Sequence, residues 1–239
     1  MRPERLTSAA WTRPPEPPRP GRPRVWLARV EDLRDVVAPL AGTLLDGGER
    51  ARAAALRRAS DRDGYRVAHV CLRLLLGAYL QVEPPDVTFV RLPCPVCGGP
   101  HGRPDVPGVP LCFSLSRTDG LFLLAFADTA VGADIERLPD PDTVAALTET
   151  LHPREADELA VCPADLRPAA FARAWTRKEA YLKGLGTGLA RDPRLDHLGT
   201  CARGPRRIPG WTVDDVTVGE AEEAEEDAAA AVAVAEQRP

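Results

Sequence analysis

Val131-Gly132-Ala133-Asp134-Ile135-Glu136 alternates along the chain with period two, the pattern of a strand with one face in a core. Val131, Ala133 and Ile135 fall on one side, and Gly132, Asp134 and Glu136 on the other. Two carboxylates therefore leave an otherwise apolar strand on the same face. Such a pair repels itself and attracts a divalent cation, and hard oxygen donors favour magnesium. Taken alone, the pair is equally well read as a solvent face carrying two surface acids.

Working outward, residues 121–127 are apolar enough for a strand buried on both faces, and residues 111–116 form another strand beside it. Further upstream, residues 92–110 form a Pro/Gly-rich loop, residues 87–90 a short strand and residues 25–30 a first strand. Residues 61–80 are helical, with Val67, Val70, Cys71, Leu74 and Ala78 at helical spacing. Downstream, helical patterns cover residues 143–151, 153–160 and 168–183, and residues 211–218 suit a last strand. Strands and helices mix without strict alternation, so the class is α+β. The expected organisation is a disordered Pro/Arg-rich tail over 1–24, two halves over 25–128 and 129–218, and an acidic disordered tail over 219–239 containing Glu222, Glu223, Glu225 and Glu226.

With 239 residues the chain is long enough for one large core or two small ones. The net charge of −4 argues against a nonspecific nucleic-acid binder. No apolar run approaches a membrane span and no secretory signal is visible, so the six cysteines are expected as thiols in the cytoplasm.

A second segment carries chemistry: Trp175-Thr176-Arg177-Lys178-Glu179-Ala180-Tyr181-Leu182-Lys183. On a helix, Trp175, Glu179 and Lys183 line one stripe, with Lys178 at its edge. An amphipathic helix with one ordinary Glu–Lys pair explains the charges but not the indole among them. Glu179 is the third carboxylate that a magnesium site with two strand acids lacks.

Strand and helix together, about 40 residues apart, resemble the signature of the 4′-phosphopantetheinyl transferase superfamily, in particular its larger, Sfp-like members. Gly102-Arg103-Pro104 is similar to the family's Gly-Lys/Arg-Pro segment, and Phe113-Ser114-Leu115-Ser116 to its Phe-Asn/Ser-Ile/Leu-Ser-His motif. Order and spacing agree over roughly residues 44–189. The resemblance implies a monomer of two similar α/β halves about a pseudo-twofold axis, with coenzyme A in the cleft between them. It implies a phosphopantetheine arm passing from coenzyme A to a serine of an apo acyl or peptidyl carrier protein, with release of 3′,5′-ADP. Asp134, Glu136 and Glu179 fall on the metal-binding acids, Glu179 on the general base and Lys183 on the lysine that assists the leaving group. Lys178, Lys183, Asp134, Ser116, Arg117, Arg103 and Pro104 fall on coenzyme-binding positions. Arg117 stands where the family usually has His; it keeps a forked cation for a pyrophosphate but cannot shuttle a proton.

Arg62, Arg66, His69 and Arg73 recur at i, i+4, i+7 and i+11, a cationic helix face or a merely solvated one. Arg66 is the candidate for the 3′-phosphate of coenzyme A. Gly184-Leu185-Gly186-Thr187-Gly188 follows a helix instead of preceding one, so it is no phosphate loop, and Gly184 reads as a C-cap. Cys94-Pro-Val-Cys97 with His101 resembles half a zinc site, with Cys112 as a possible fourth donor; a rigid loop is the neutral reading. Two rival functions use the same features: a magnesium-dependent phosphodiesterase or nuclease, and a zinc-stapled binding module.

Overall fold

A computed structural model describes residues 1–11, 15–201, 206–219 and 228–237. Its strands are β1 (Glu4–Arg5), β2 (Arg24–Arg29), β3 (Val90–Arg91), β4 (Pro104–Asp105), β5 (Cys112–Thr118), β6 (Leu121–Ala127), β7 (Val131–Arg137), β8 (Arg206–Ile208), β9 (Trp211–Val216) and β10 (Ala228–Ala235). Its α-helices are α1 (Val30–Val37), α2 (Ala41–Leu44), α3 (Gly47–Ala55), α4 (Ala59–Leu80), α5 (Pro141–Leu147), α6 (Pro153–Ala160) and α7 (Arg167–Leu185). The α+β class is as the sequence patterns require.

Two four-stranded sheets carry the fold, in the orders β1-β2-β6-β5 and β7-β10-β9-β8. Their inner faces pack together: Val25, Leu121, Leu123 and Ala125 of the first meet Val131, Ala133, Ile135 and Val232 of the second. The outer face of the first sheet presents Trp26, Phe113, Phe122, Leu124 and Phe126 to Val67, Val70, Cys71 and Leu75 of α4. On the second, Val213, Ala231 and Ala233 meet Ala180 and Tyr181 of α7. The layers are thus helix, sheet, sheet, helix. All seven residues of β6 are buried, because that strand lies inside both cores.

Both expected tails differ from the structure over their described parts. Glu4–Arg5 runs parallel to β2, Leu6 is buried against the first core, and the Thr217 N–H donates to the Met1 carbonyl at 2.9 Å. Ala228–Ala235 is the strand between β7 and β9, hydrogen-bonded to both. Alanine is a weak strand former, but sites covered closely by a helix favour small side chains over large ones. The glutamate cluster at 222–226 lies outside the described residues.

Helix α4 ends with Gln81 in the left-handed conformation, and α7 ends at Gly186, also left-handed, two residues beyond the expected cap at Gly184. Gly184 lies inside α7 instead, where a Cβ would stand 2.5 Å from the Trp211 ring.

Candidate active site

The alternation of β7 sends Val131, Ala133 and Ile135 into the intersheet core, so Gly132, Asp134 and Glu136 must face α7. A Cβ on Gly132 would lie 1.9 Å from the Ala180 carbonyl oxygen. Only glycine permits that approach, and it brings the next turn of α7 over the strand acids. Lys183 Nζ reaches Asp134 Oδ1 at 2.5 Å. Asp134 is 1% exposed at its side chain, and its second oxygen, Oδ2, is buried with no hydrogen-bond partner.

Strand β5 closes the site from the other side. Ser116 Oγ donates to Asp134 Oδ1 at 2.8 Å and lies 3.1 Å from Lys183 Nζ. Two residues earlier on the same face, Ser114 Oγ accepts the Ala133 N–H at 3.0 Å. Side-chain hydroxyls therefore lace β5 to β7 where the two sheets meet without a shared ladder. The Phe-Ser-Leu-Ser motif alternates because both serines must face β7.

The electrostatics follow from this crowding. Burial, with Asp134 and Glu179 close by, pushes the Glu136 carboxyl up to about 7 against the pull of Lys183. Burial and then Asp134 likewise raise Glu179. One lysine does not offset three carboxylates. An orphaned buried oxygen beside two acids that resist ionisation fits a bound divalent cation, and an all-oxygen donor set suits magnesium.

Two cavities flank the cluster and share Arg117 and Lys183. One, of about 610 Å³, is lined by Arg52, His69, Arg91 and Arg103 on its polar wall and by Leu72, Phe89, Pro104 and Phe113 on its apolar side. The other, of about 640 Å³, contains Ser116, Thr118 and Glu136. The guanidinium of Arg117 sits 5.4 Å from the Tyr65 ring centroid. Arg103 Nε is buried without a partner. The structure thus brings together Ser116, Asp134, Glu136, Glu179 and Lys183, with Arg103, Pro104 and Arg117 on the adjoining walls.

Two expected residues lie elsewhere. Lys178 is 2% exposed, ion-paired to Glu155 at 2.7 Å, and donates to the carbonyls of Pro193 at 2.9 Å and Asp196 at 2.5 Å. It ties α7 to α6 and to the following loop and is not on the cavity side. Arg66 pairs with Asp63 at 3.8 Å in a separate hollow with Arg34 and Arg50, so it does not line the large cavity. Its helix neighbours are structural too. Arg73 is buried on Glu49 at 2.7 Å and Asp46 at 3.0 Å, and Arg62 donates to the carbonyls of Leu56 and Arg57. Trp175 stacks on Phe171 at 6.2 Å, beside the small core under α5 and α6.

Sequence reasoning missed Tyr65 and the true character of His69. His69 stacks on Tyr65 with centroids 3.7 Å apart, and desolvation lowers its pKa to about 4. It is a neutral wall residue and not part of a basic face. Their i, i+4 spacing on α4 was the available signal.

Residues 130–233 match the model of the 4′-phosphopantetheinyl transferase superfamily. The chain is 30% identical over 196 residues to the 4′-phosphopantetheinyl transferase HetI of Nostoc sp., covering 79% of this chain and 80% of that one. It is 26% identical over 136 residues to the 4′-phosphopantetheinyl transferase gsp of Aneurinibacillus migulanus, covering 56% and 54%. A third relative, the L-aminoadipate-semialdehyde dehydrogenase-phosphopantetheinyl transferase of Eremothecium gossypii, is 37% identical over 94 residues, or 36% and 34% of the two chains. The superfamily match contains Asp134, Glu136 and Glu179, and with the identity and two-sided coverage of the Nostoc relative it establishes that this chain belongs to the 4′-phosphopantetheinyl transferase superfamily.

Proposed function

We propose that the protein is a magnesium-dependent transferase of the Sfp-like type, active as a cytoplasmic monomer. It moves the phosphopantetheine arm of coenzyme A to a serine hydroxyl of an apo acyl or peptidyl carrier protein. The observation that carries this reading is the unpartnered, buried Oδ2 of Asp134 beside two acids whose pKa values are raised. Asp134, Glu136 and Glu179 would hold the magnesium, which when bound offsets charge on the phosphate oxygens.

The chain's own side chains supply the rest. Arg103 and Arg117 offer forked donors to the pyrophosphate, and Leu72, Phe89 and Phe113 give coenzyme A an apolar wall. Glu179 takes the proton of the carrier serine, directly or through water; its raised pKa makes it a better base once ionised. The serine oxygen then bonds to the phosphorus that bears the pantetheine. The bond from that phosphorus to the bridging pyrophosphate oxygen breaks, and 3′,5′-ADP leaves with the electron pair. Lys183 donates to the departing oxygen.

The test is chromatography of 3′,5′-ADP from coenzyme A and magnesium, with and without an apo carrier. Release only in the presence of carrier, in step with its modification, is expected. Release without carrier would mark a phosphodiesterase and overturn the reading.

A further inference from the structure

The loop between β3 and β4 has a built tip that the transfer chemistry does not use. Its base is fixed by the β3–β4 pairing and by the Leu92 N–H donating to the Arg103 carbonyl at 3.1 Å. At the tip, the Cys94 N–H donates to the Gly99 carbonyl and the Gly98 N–H to the Cys94 carbonyl, both at 2.8 Å. Gly98 has φ +70°, which closes this tight turn and is strained for any residue with a Cβ. The turn aims the N–H groups of Cys97 and Val96 at the Cys94 sulfur. Such donors stabilise a thiolate, the form that binds metals.

His101 returns to the same point. Its Nε2 lies 2.9 Å from Cys97 Sγ, and the donor atoms of Cys94, Cys97 and His101 all lie within 4.8 Å of one another. Among the described residues no other group of three His, Cys, Asp or Glu donors gathers this closely, the more widely spaced acids Asp134, Glu136 and Glu179 included. Cys94 is buried, whereas Cys97 and His101 face solvent, and none of the six cysteines is in a disulfide. Cys112 does not join them: it begins β5, with Arg103, Asp105 and Asp128 as its charged neighbours.

We propose that Cys94, Cys97 and His101 bind one zinc ion, with water in the fourth position. Two sulfurs and one imidazole nitrogen are zinc donors rather than magnesium donors. Tetrahedral bonds of about 2.3 Å to sulfur and 2.0 Å to nitrogen set donor atoms roughly 3.5–3.8 Å apart. The present spread brackets that value, so side-chain rotations of under about 1 Å complete the site. Binding releases the thiol protons to water and changes no oxidation state.

The consequence is mechanical. His101, the last of the zinc ligands, and the Gly102, Arg103 and Pro104 that follow it form one wall of the large cavity. A zinc ion at the loop tip fixes that wall at both ends.

The test uses the full chain, stripped with chelator and titrated with zinc, then separately with cobalt(II). About one equivalent of zinc is expected, and a cobalt spectrum with thiolate charge-transfer and tetrahedral d–d bands. Cys97→Ala and His101→Ala should each lose at least tenfold in zinc affinity, while Cys112→Ala, Cys201→Ala and Asp134→Asn keep it. Zinc held equally by Cys97→Ala, zinc lost in Asp134→Asn, failure of wild type to bind, or a Cys94–Cys97 disulfide in the purified protein would each overturn the assignment. These readouts need neither coenzyme A nor a carrier, so they stand apart from the transferase reading.

Discussion

Replacing Glu136 by glutamine should stabilise the metal-free protein while removing its activity. In the native state the Glu136 carboxyl is raised from its ordinary 4.5 to about 7 by burial and by Asp134. An acid raised in this way holds its proton more tightly folded than unfolded. Stability therefore falls as pH climbs from about 4.5 to about 7, and the full penalty is present above 7. At about 1.4 kcal/mol per pH unit the shift corresponds to about 3 kcal/mol. Glu136 is only part-buried, so solvent screening reduces this to about 1–2 kcal/mol. Glutamine keeps the shape and the Thr118 contact without the charge. For a chain of this size, chelator-treated Glu136→Gln should melt roughly 3–6 °C above wild type at pH 8 and close to wild type at pH 5. Magnesium at roughly 100 times its Kd should add about 2.7 kcal/mol to wild type and less to the variant. Melting curves at both pH values, with and without magnesium, are the assay. Equal melting at pH 8, or the same gain at pH 5 and pH 8, would refute the crowding argument.

Lys178→Ala should destabilise by about 3–5 kcal/mol, because it leaves the fully buried Glu155 carboxylate without its cation; urea unfolding measures this. An unchanged midpoint with weaker coenzyme A binding would return Lys178 to the cleft. A chain ending at Gly219 should fail to fold, since it lacks the strand between β7 and β9; soluble protein with native circular dichroism would contradict the topology. Gly132→Ala should cost at least about 1–3 kcal/mol and lower transfer, because its Cβ meets the Ala180 carbonyl. A thermal melt within 1 °C of wild type, by the order of error in such scans, would place α7 farther from β7.

The acids were legible because two short-range rules locate them: period two puts Asp134 and Glu136 on one face, and i, i+4 puts Glu179 and Lys183 on another. That those faces oppose each other is a tertiary fact, and Gly132 is the residue that records it. Lys178 shows the limit of a helical stripe. Three residues from Trp175 and one from Glu179, it borders two faces, and only the buried Glu155 on α6 decides between them. Arg66 lies outside the large cavity for the same reason: spacing along α4 identifies a face, not what the face looks at. The Ala-rich segment 228–235 has strand formers only at Val232 and Val234, and its place between β7 and β9 comes from neighbours distant in sequence. Ser114 and Ser116 were visible as a motif, but their role in lacing the two sheets needed coordinates.

The central claim is that Asp134, Glu136 and Glu179 act as one cation-dependent transfer site. Intact mass spectrometry of an apo carrier tests it most directly, after incubation with coenzyme A, magnesium and either wild type, Asp134→Ala or Glu179→Ala, each checked for folding by circular dichroism. The account predicts that wild type adds one phosphopantetheine to the carrier serine, that chelator abolishes the addition, and that both folded variants lose at least about 100-fold in rate. A folded variant within a few-fold of wild type, or full transfer in chelator, would contradict it.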